Sequence, residues 1–214
     1  VIPNPFDRGS AKLLAAKGFD ALATTSAGLA FSRGRPDMGI DRDTLLAHVA
    51  EMADATDLPL HVDAERCFAD DAAGVAETVR LLAEAGAAGV SIEDWDPAPG
   101  VITPLPEAVA RVAAAAGAAD EAGLVLTARC EHHLHGVDDL DATIERLVAY
   151  RDAGAEVVYA PGLDTIEPDR RVVAAVEVPV NVLLQPGGPT VPELAEAGAR
   201  RVSLGGNLAR TAYG

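Results

Sequence analysis

The chain has 214 residues, 49% apolar and 23% charged, and its 17 basic against 33 acidic side chains leave a formal charge of −16. A pI near 4.5 and a mean hydropathy of +0.15 argue against nucleic-acid or anionic-lipid partners, because no basic face can displace counterions from phosphates. Two cysteines are too few for a disulfide scaffold, no apolar run approaches the roughly 20 residues of a membrane span, and nothing resembles a signal peptide, so the expected location is a reducing, cytoplasmic one.

Apolar, often β-branched runs alternate with alanine-rich segments whose apolar positions recur at helical spacing. In chain order, Val1–Pro3 predicts a strand and Ser10–Lys17 a helix, then Ala21–Ser26 a strand and Arg42–Ala55 a helix. Leu58–Ala64 and Asp71–Ala85 repeat the pair, as do Gly89–Asp94 with Leu105–Ala122 and Leu124–Glu131 with Leu140–Ala153. Val157–Pro161 and Pro168–Val176, then Val178–Leu184 and Val191–Ala197, and finally Arg201–Gly205 with a turn from Asn207, complete eight units. Gly18, Gly86, Gly123, Gly154 and Gly198 stand where helices stop.

Runs such as Val178–Leu184 suit parallel strands covered on both faces. The prediction is a (β/α)8 TIM barrel forming one domain over residues 1–214, with an open doubly wound sheet as the alternative. The expected eighth helix is cut short, with further C-terminal helices missing.

In such a barrel chemistry gathers at the C-terminal strand ends. Thr24 to Gly28, Asp63 to Glu65, Glu93-Asp94 and Arg129 to Glu131 fall there, and Asn181 lies in the seventh strand as a candidate substrate-binding residue. Carboxylates converging from adjacent strands repel one another unless a cation sits among them. Oxygen donors without histidine or thiolate favour Mg²⁺, with Mn²⁺ as an alternative. Pairing with Arg66, Arg129 or backbone N–H groups is the competing explanation.

Asn4 to Asp7 with Ser10 to Leu14, Ala23 to Gly28 with Gly34 to Asp37, Leu60 to Glu65, Gly86 to Asp94 and Thr127 to Arg129 follow one another a strand apart. Together they resemble the isocitrate lyase and phosphoenolpyruvate mutase superfamily over essentially the whole chain, which implies a barrel of the phosphoenolpyruvate/pyruvate-binding type. The resemblance implies that Asp63 contacts Mg²⁺ and that Glu65 and Glu93 hold its waters. It implies further that backbone N–H groups at Ser26, Ala27 and Gly28 receive a substrate carboxylate, that Arg129 binds an anionic substrate oxygen, and that Asp37 lies over the reacting end. Glu131 either orients Arg129, binds substrate or forms a plain ion pair. A homotetramer is implied as well.

The departures fall in two loops. Arg66 to Ala69 replaces the Gly-Tyr-Gly usual in the superfamily, and Trp95 to Leu105 contains none of the lid lysine, cysteine or histidine of the lyase branch. The expected function is Mg²⁺-dependent cleavage of a C–C bond in a small anionic 2-oxo or 2-hydroxy carboxylate through a metal-held enolate. A P–C mutase or hydrolase is the runner-up. A phosphosugar enzyme using Gly187-Gly188 and Gly205-Gly206, or a scaffold without catalysis, are the further alternatives. Cys67 and Cys130 read as small buried hydrophobes, His132, His133 and His135 as a solvated loop, His48 as a helix-surface residue and His61 as a satisfied strand residue.

Overall fold

The computed structural model describes residues 1–213. Its elements are α1 (Arg8–Ala16), β1 (Leu22–Ala23), α2 (Ser26–Ser32), α3 (Arg42–Ala53), β2 (Leu60–Asp63), α4 (Ala72–Glu84), β3 (Gly89–Glu93), β4 (Trp95–Asp96) and β5 (Val101–Ile102). They continue with α5 (Leu105–Ala122), β6 (Val125–Arg129), α6 (Leu140–Asp152), β7 (Val157–Tyr159), α7 (Ile166–Val176), β8 (Val180–Leu183), α8 (Val191–Glu196), β9 (Arg201–Ser203) and α9 (Asn207–Tyr213).

Seven parallel strands pair in the order β1-β2-β3-β6-β7-β8-β9. The first residues fill the remaining gap. Ile2 bridges in parallel to Ser203, its N–H donating to Val202 O at 2.8 Å, and Ala23 N–H donates to Pro3 O at 3.0 Å. The predicted first strand, Val1–Pro3, is thus a bridge rather than a regular strand, and with it the sheet becomes a nearly closed α/β barrel. Asn4 stitches the seam: its amide donates to Thr24 O at 2.9 Å, and its oxygen accepts from Leu204 N at 2.8 Å and Gly205 N at 2.9 Å.

The strand residues divide by parity. Val62, Val90, Ile92, Leu126, Val158, Val182 and Val202 pack outward into the apolar core beneath the helices. The alternate positions, His61, Ser91, Thr127, Asn181, Arg201 and Ser203, line an internal cavity. Barrels of this type usually fill that interior with branched aliphatic side chains; this one is polar inside.

Two elements escaped the sequence pattern. Ser26 opens helix α2, capped by Thr25, whose side chain accepts from Gly28 N. The segment after β3 folds into the antiparallel β4–β5 hairpin. Helix α5 keeps its predicted bounds because punctuation is strong at both ends: Pro106 lies in its first turn and Gly123 closes it at φ 70°. No helix among the described residues is long and apolar enough to cross a membrane.

Candidate active site

The ends of β2, β3 and β6 converge on one guanidinium. Arg129 lies 3.2 Å from Asp63, 3.3 Å from Glu93 and 2.8 Å from Glu131. The strand register explains the meeting: Glu93 sits beside Arg129, and Arg129 beside Tyr159, on neighbouring strands. Tyr159 supports the guanidinium from its ring face at 5.2 Å. Glu131 is 3% exposed; it grips Arg129 through Oε1, while its own N–H donates to Asp94 Oδ1 at 2.8 Å.

Asp63 is held from below and from the side. Its N–H donates to Thr24 Oγ1 at 2.9 Å, and its Oδ2 accepts from Ser26 N at 3.0 Å. Of the three backbone N–H groups expected to receive substrate, Ser26 is therefore engaged with Asp63 and Gly28 with Thr25. The Ala27 N–H has no protein acceptor among the described residues. Asp37 faces Ser26 Oγ at 3.4 Å and accepts from Met38 N at 3.0 Å. Residue 37 is exposed, but its carboxyl turns toward the mouth, where desolvation first and Asp63 second raise its pKa.

Glu65 occupies a strained loop. Glu65, Cys67 and Phe68 hold φ of 49°, 62° and 50°, the left-handed region that glycine adopts without cost. The loop therefore holds a conformation its side chains disfavour. Buried Arg111, on α5, staples it by donating to Arg66 O at 2.7 Å and Ala69 O at 2.9 Å, and Glu93 N–H donates to Glu65 O at 2.9 Å. Glu65 is 4% exposed and its Oε1 has no hydrogen-bond partner. Burial first, then Asp63 and Asp37, push its pKa up to about 8. Glu93 is likewise raised by burial and by the neighbouring carboxylates, against the pull of Arg129.

Thr25, Ser26, Ala27, Asp37, Asp63, Arg129 and Tyr159 share the wall of a cavity of about 200 Å³ at the barrel mouth. Asn181 does not line that cavity; it lies deeper, donating to Ser203 Oγ at 3.0 Å and accepting from Arg201 at 2.9 Å, on the wall of an adjoining cavity that Asp63, Arg129 and Tyr159 also line. Arg201 and Tyr159 were both missed in the sequence, since neither belongs to a recognisable string.

Several histidine readings are corrected. His48 is buried, not on the helix surface, because it shares the inward face of α3 with Leu45, Val49 and Met52; burial drops its pKa to about 4. His132 is buried against Thr143 Oγ1 at 3.1 Å, so the loop after β6 is not simply solvated. His61 is a strand residue, yet its Nε2 lacks a partner. His135 stacks on Trp95 of the hairpin, ring centroids 3.4 Å apart at 9°. The two cysteines are buried as expected, and burial raises the Cys67 thiol to about 12.

Gly205 N–H is spent on Asn4 and Gly188 N–H on Gln185 O. The cavity beside Gly187-Gly188 sets Asp164, Glu193 and Glu196 against Arg170 alone.

The family model described as phosphoenolpyruvate phosphomutase matches residues 1–214. The chain is 36% identical to the 2-methylisocitrate lyase of Escherichia coli K12 over 76% of its own length and 57% of that protein's. It thus spans less than two thirds of the curated lyases it matches first. Among solved structures it is similar to a Burkholderia cenocepacia J2315 protein assigned no more closely than lyase or mutase, at 54% identity and TM-score 0.95, covering 99% of this chain and 78% of that one. It is also similar to the phosphoenolpyruvate phosphomutase of Streptomyces platensis subsp. rosaceus, at 26% identity and TM-score 0.88, covering 99% and 78%. On these matches the chain belongs to the phosphoenolpyruvate phosphomutase family, within the isocitrate lyase/phosphoenolpyruvate mutase superfamily.

Proposed function

We propose that this chain is a Mg²⁺-dependent carbon–carbon lyase acting on a small anionic 2-oxo or 2-hydroxy carboxylate. The observation that carries the reading is the meeting, at a mouth cavity of about 200 Å³ lined by Asp37, Asp63 and Arg129, of an arginine for substrate anions with the three carboxylates of Asp63, Glu93 and Glu131 around it.

The residues fit such a cation. Asp63, Glu93 and Glu131 outnumber the guanidinium they pair with, Asp37 and Glu65 stand close enough to Asp63 to feel its charge, and the buried Glu65 Oε1 has no partner. No three His, Cys, Asp or Glu side chains among the described residues are arranged as direct ligands. Mg²⁺ commonly retains several waters and takes only one or two carboxylates, so the reading asks for one direct ligand. In this reading Asp63 would hold the ion and Glu65 and Glu93 its waters. When bound, Mg²⁺ supplies a Lewis acid that favours charge on the 2-oxo oxygen as the bond breaks.

The chain's own groups do the rest. Arg129, oriented by Glu131 and supported by Tyr159, binds an anionic substrate oxygen, and its fixed positive charge stabilises negative charge already desolvated. The Ala27 N–H adds a donor for the substrate carboxylate. Asp37, its pKa raised at the mouth, accepts or holds a proton at its carboxylate. The aromatic stack of Trp95 on His135 braces the hairpin beside the mouth. Family likeness to lyases supports C–C cleavage as the reaction; the same mouth in a mutase would act on a P–C bond.

The test is turnover of 2-methylisocitrate, oxaloacetate and phosphonopyruvate with Mg²⁺, alongside Asp63→Ala. Cleavage of a carboxylic acid substrate, abolished by EDTA and by the variant, is the expected result. Turnover of phosphonopyruvate alone would make the chain a P–C enzyme, and silence on all three substrates would favour a scaffold.

A further inference from the structure

The barrel floor holds a cation that nothing neutralises. Arg201 is the first residue of β9, and its side chain runs into the barrel interior, donating to Asn181 Oδ1 at 2.9 Å and Thr127 Oγ1 at 2.7 Å. Both acceptors are neutral, and no carboxylate among the described residues lies within ion-pair distance. Asp63, the one acidic group on this cavity's wall, is already committed to Arg129 at 3.2 Å. Burial lowers the pKa of Arg201 to about 10, so the group is still charged at neutral pH. An isolated buried charge costs several kcal/mol unless it is paired.

His61 is on the wall of the same cavity and has no partner for one ring nitrogen: its Nε2 is buried and unbonded. In the Nε2–H tautomer that nitrogen is a donor. The ring has room only because residue 89 is glycine: a Cβ there would lie 2.5 Å from His61 Nδ1.

These groups share a cavity of about 50 Å³ walled by Ser91, Thr127, Asn181 and Ser203 as well as Arg201 and His61, and bounded toward the mouth by Asp63, Arg129 and Tyr159. That is several times the roughly 10–15 Å³ a single water needs. Water alone would solvate the guanidinium without cancelling its charge.

We propose that the barrel floor binds one small monovalent inorganic anion of halide size, with Arg201 as its counter-ion and His61 as a second donor. One positive charge calls for one negative charge, and the volume excludes phosphate esters. The site shares Asp63, Arg129 and Tyr159 with the wall of the mouth cavity, but the proposal does not rest on the lyase reading, since the anion balances Arg201 whether or not the chain catalyses anything.

The experiment follows thermal unfolding of the whole chain at constant ionic strength, with sodium bromide or chloride exchanged for sodium gluconate, and locates bromide by anomalous diffraction. The expected result is a Tm that rises with bromide, by about 3–6 °C at ten times its dissociation constant, together with a bromide peak in hydrogen-bond reach of Arg201. Arg201→Met removes the halide-specific rise. If that variant does not fold, His61→Leu must reduce the bromide affinity instead. Equal Tm values in bromide and gluconate, a halide rise that survives both substitutions, or only water at the floor in bromide crystals would each overturn the proposal. A substrate carboxylate seated on Arg201 would overturn it too, by making the floor part of the substrate pocket.

Discussion

Arg129 on β6 and Arg201 on β9 are both half-buried inside one barrel, and they meet opposite surroundings. Arg129 has three carboxylates within 3.3 Å, whereas Arg201 donates to an amide and a hydroxyl oxygen. At the mouth the acids outnumber the cation they pair with, and at the floor the cation has no acid within ion-pair distance. The contrast teaches that the two arginines leave opposite charge to spare: carboxylate charge around Arg129 and positive charge at Arg201.

The largest expected effect comes from removing the arginine at the mouth. Arg129→Met leaves Glu93, Glu131 and Asp63 without their common partner; turnover should fall about 10³-fold, and the folded state should lose about 3–5 kcal/mol in urea unfolding near neutral pH. Part of that stability returns on acidification, when the stranded carboxylates protonate.

The next test concerns Glu65. Its carboxyl has an ordinary pKa of 4.5 and one of about 8 in the fold. The folded state therefore binds the extra proton, and the associated stability is complete below pH 4.5 and is lost as pH rises through about 8. By linkage the loss reaches at most about 4–5 kcal/mol. Urea unfolding in divalent-free buffer should show that slope, Glu65→Gln should flatten it, and saturating Mg²⁺ should flatten it in the parent chain by favouring the ionised carboxylate. A parent chain equally stable at pH 5 and pH 8 without metal would refute this.

The floor should respond weakly. Replacing an uncompensated buried cation by an apolar side chain of similar length removes a desolvation cost along with two hydrogen bonds, so Arg201→Met is expected to change stability by less than about 1 kcal/mol in halide-free buffer. A loss as large as that of Arg129→Met would break the contrast between the two cavities.

The smallest effect separates strain from charge. Glu177 closes α7 at φ 56°, the same left-handed conformation adopted by Glu65, Cys67 and Phe68, but it is exposed and remote from the mouth. Glu177→Gly should stabilise by about 0.5–1 kcal/mol and leave metal binding unchanged, its ion pair with Arg151 being exposed and worth little.

The parts that sequence made legible are those whose physics is local. Parallel strands buried on both faces read as apolar runs, and helices such as α5 announce their ends through proline and glycine. Helix α2 was invisible because its seven residues span too few turns to show a period, and β4 and β5 are only two residues each. At the mouth, Asp63, Glu65, Glu93 and Arg129 could be placed from strand ends alone. Tyr159 and Arg201 could not, since their roles depend on which residues face them across the barrel. The same limit explains His48, whose burial reflects the inward face of a helix with little contrast between its sides, and Asn181, whose bonds to Ser203 and Arg201 depend on which residues face it inside the barrel.

The central claim is that the acidic mouth grips one divalent cation through Asp63. Electron paramagnetic resonance of Mn²⁺ titrated into the chain, with competition by Mg²⁺, tests it directly. One site per chain, displaced by Mg²⁺ and lost in Asp63→Ala, is the predicted result. Unbound Mn²⁺ throughout the titration, or binding untouched by the substitution, would contradict it.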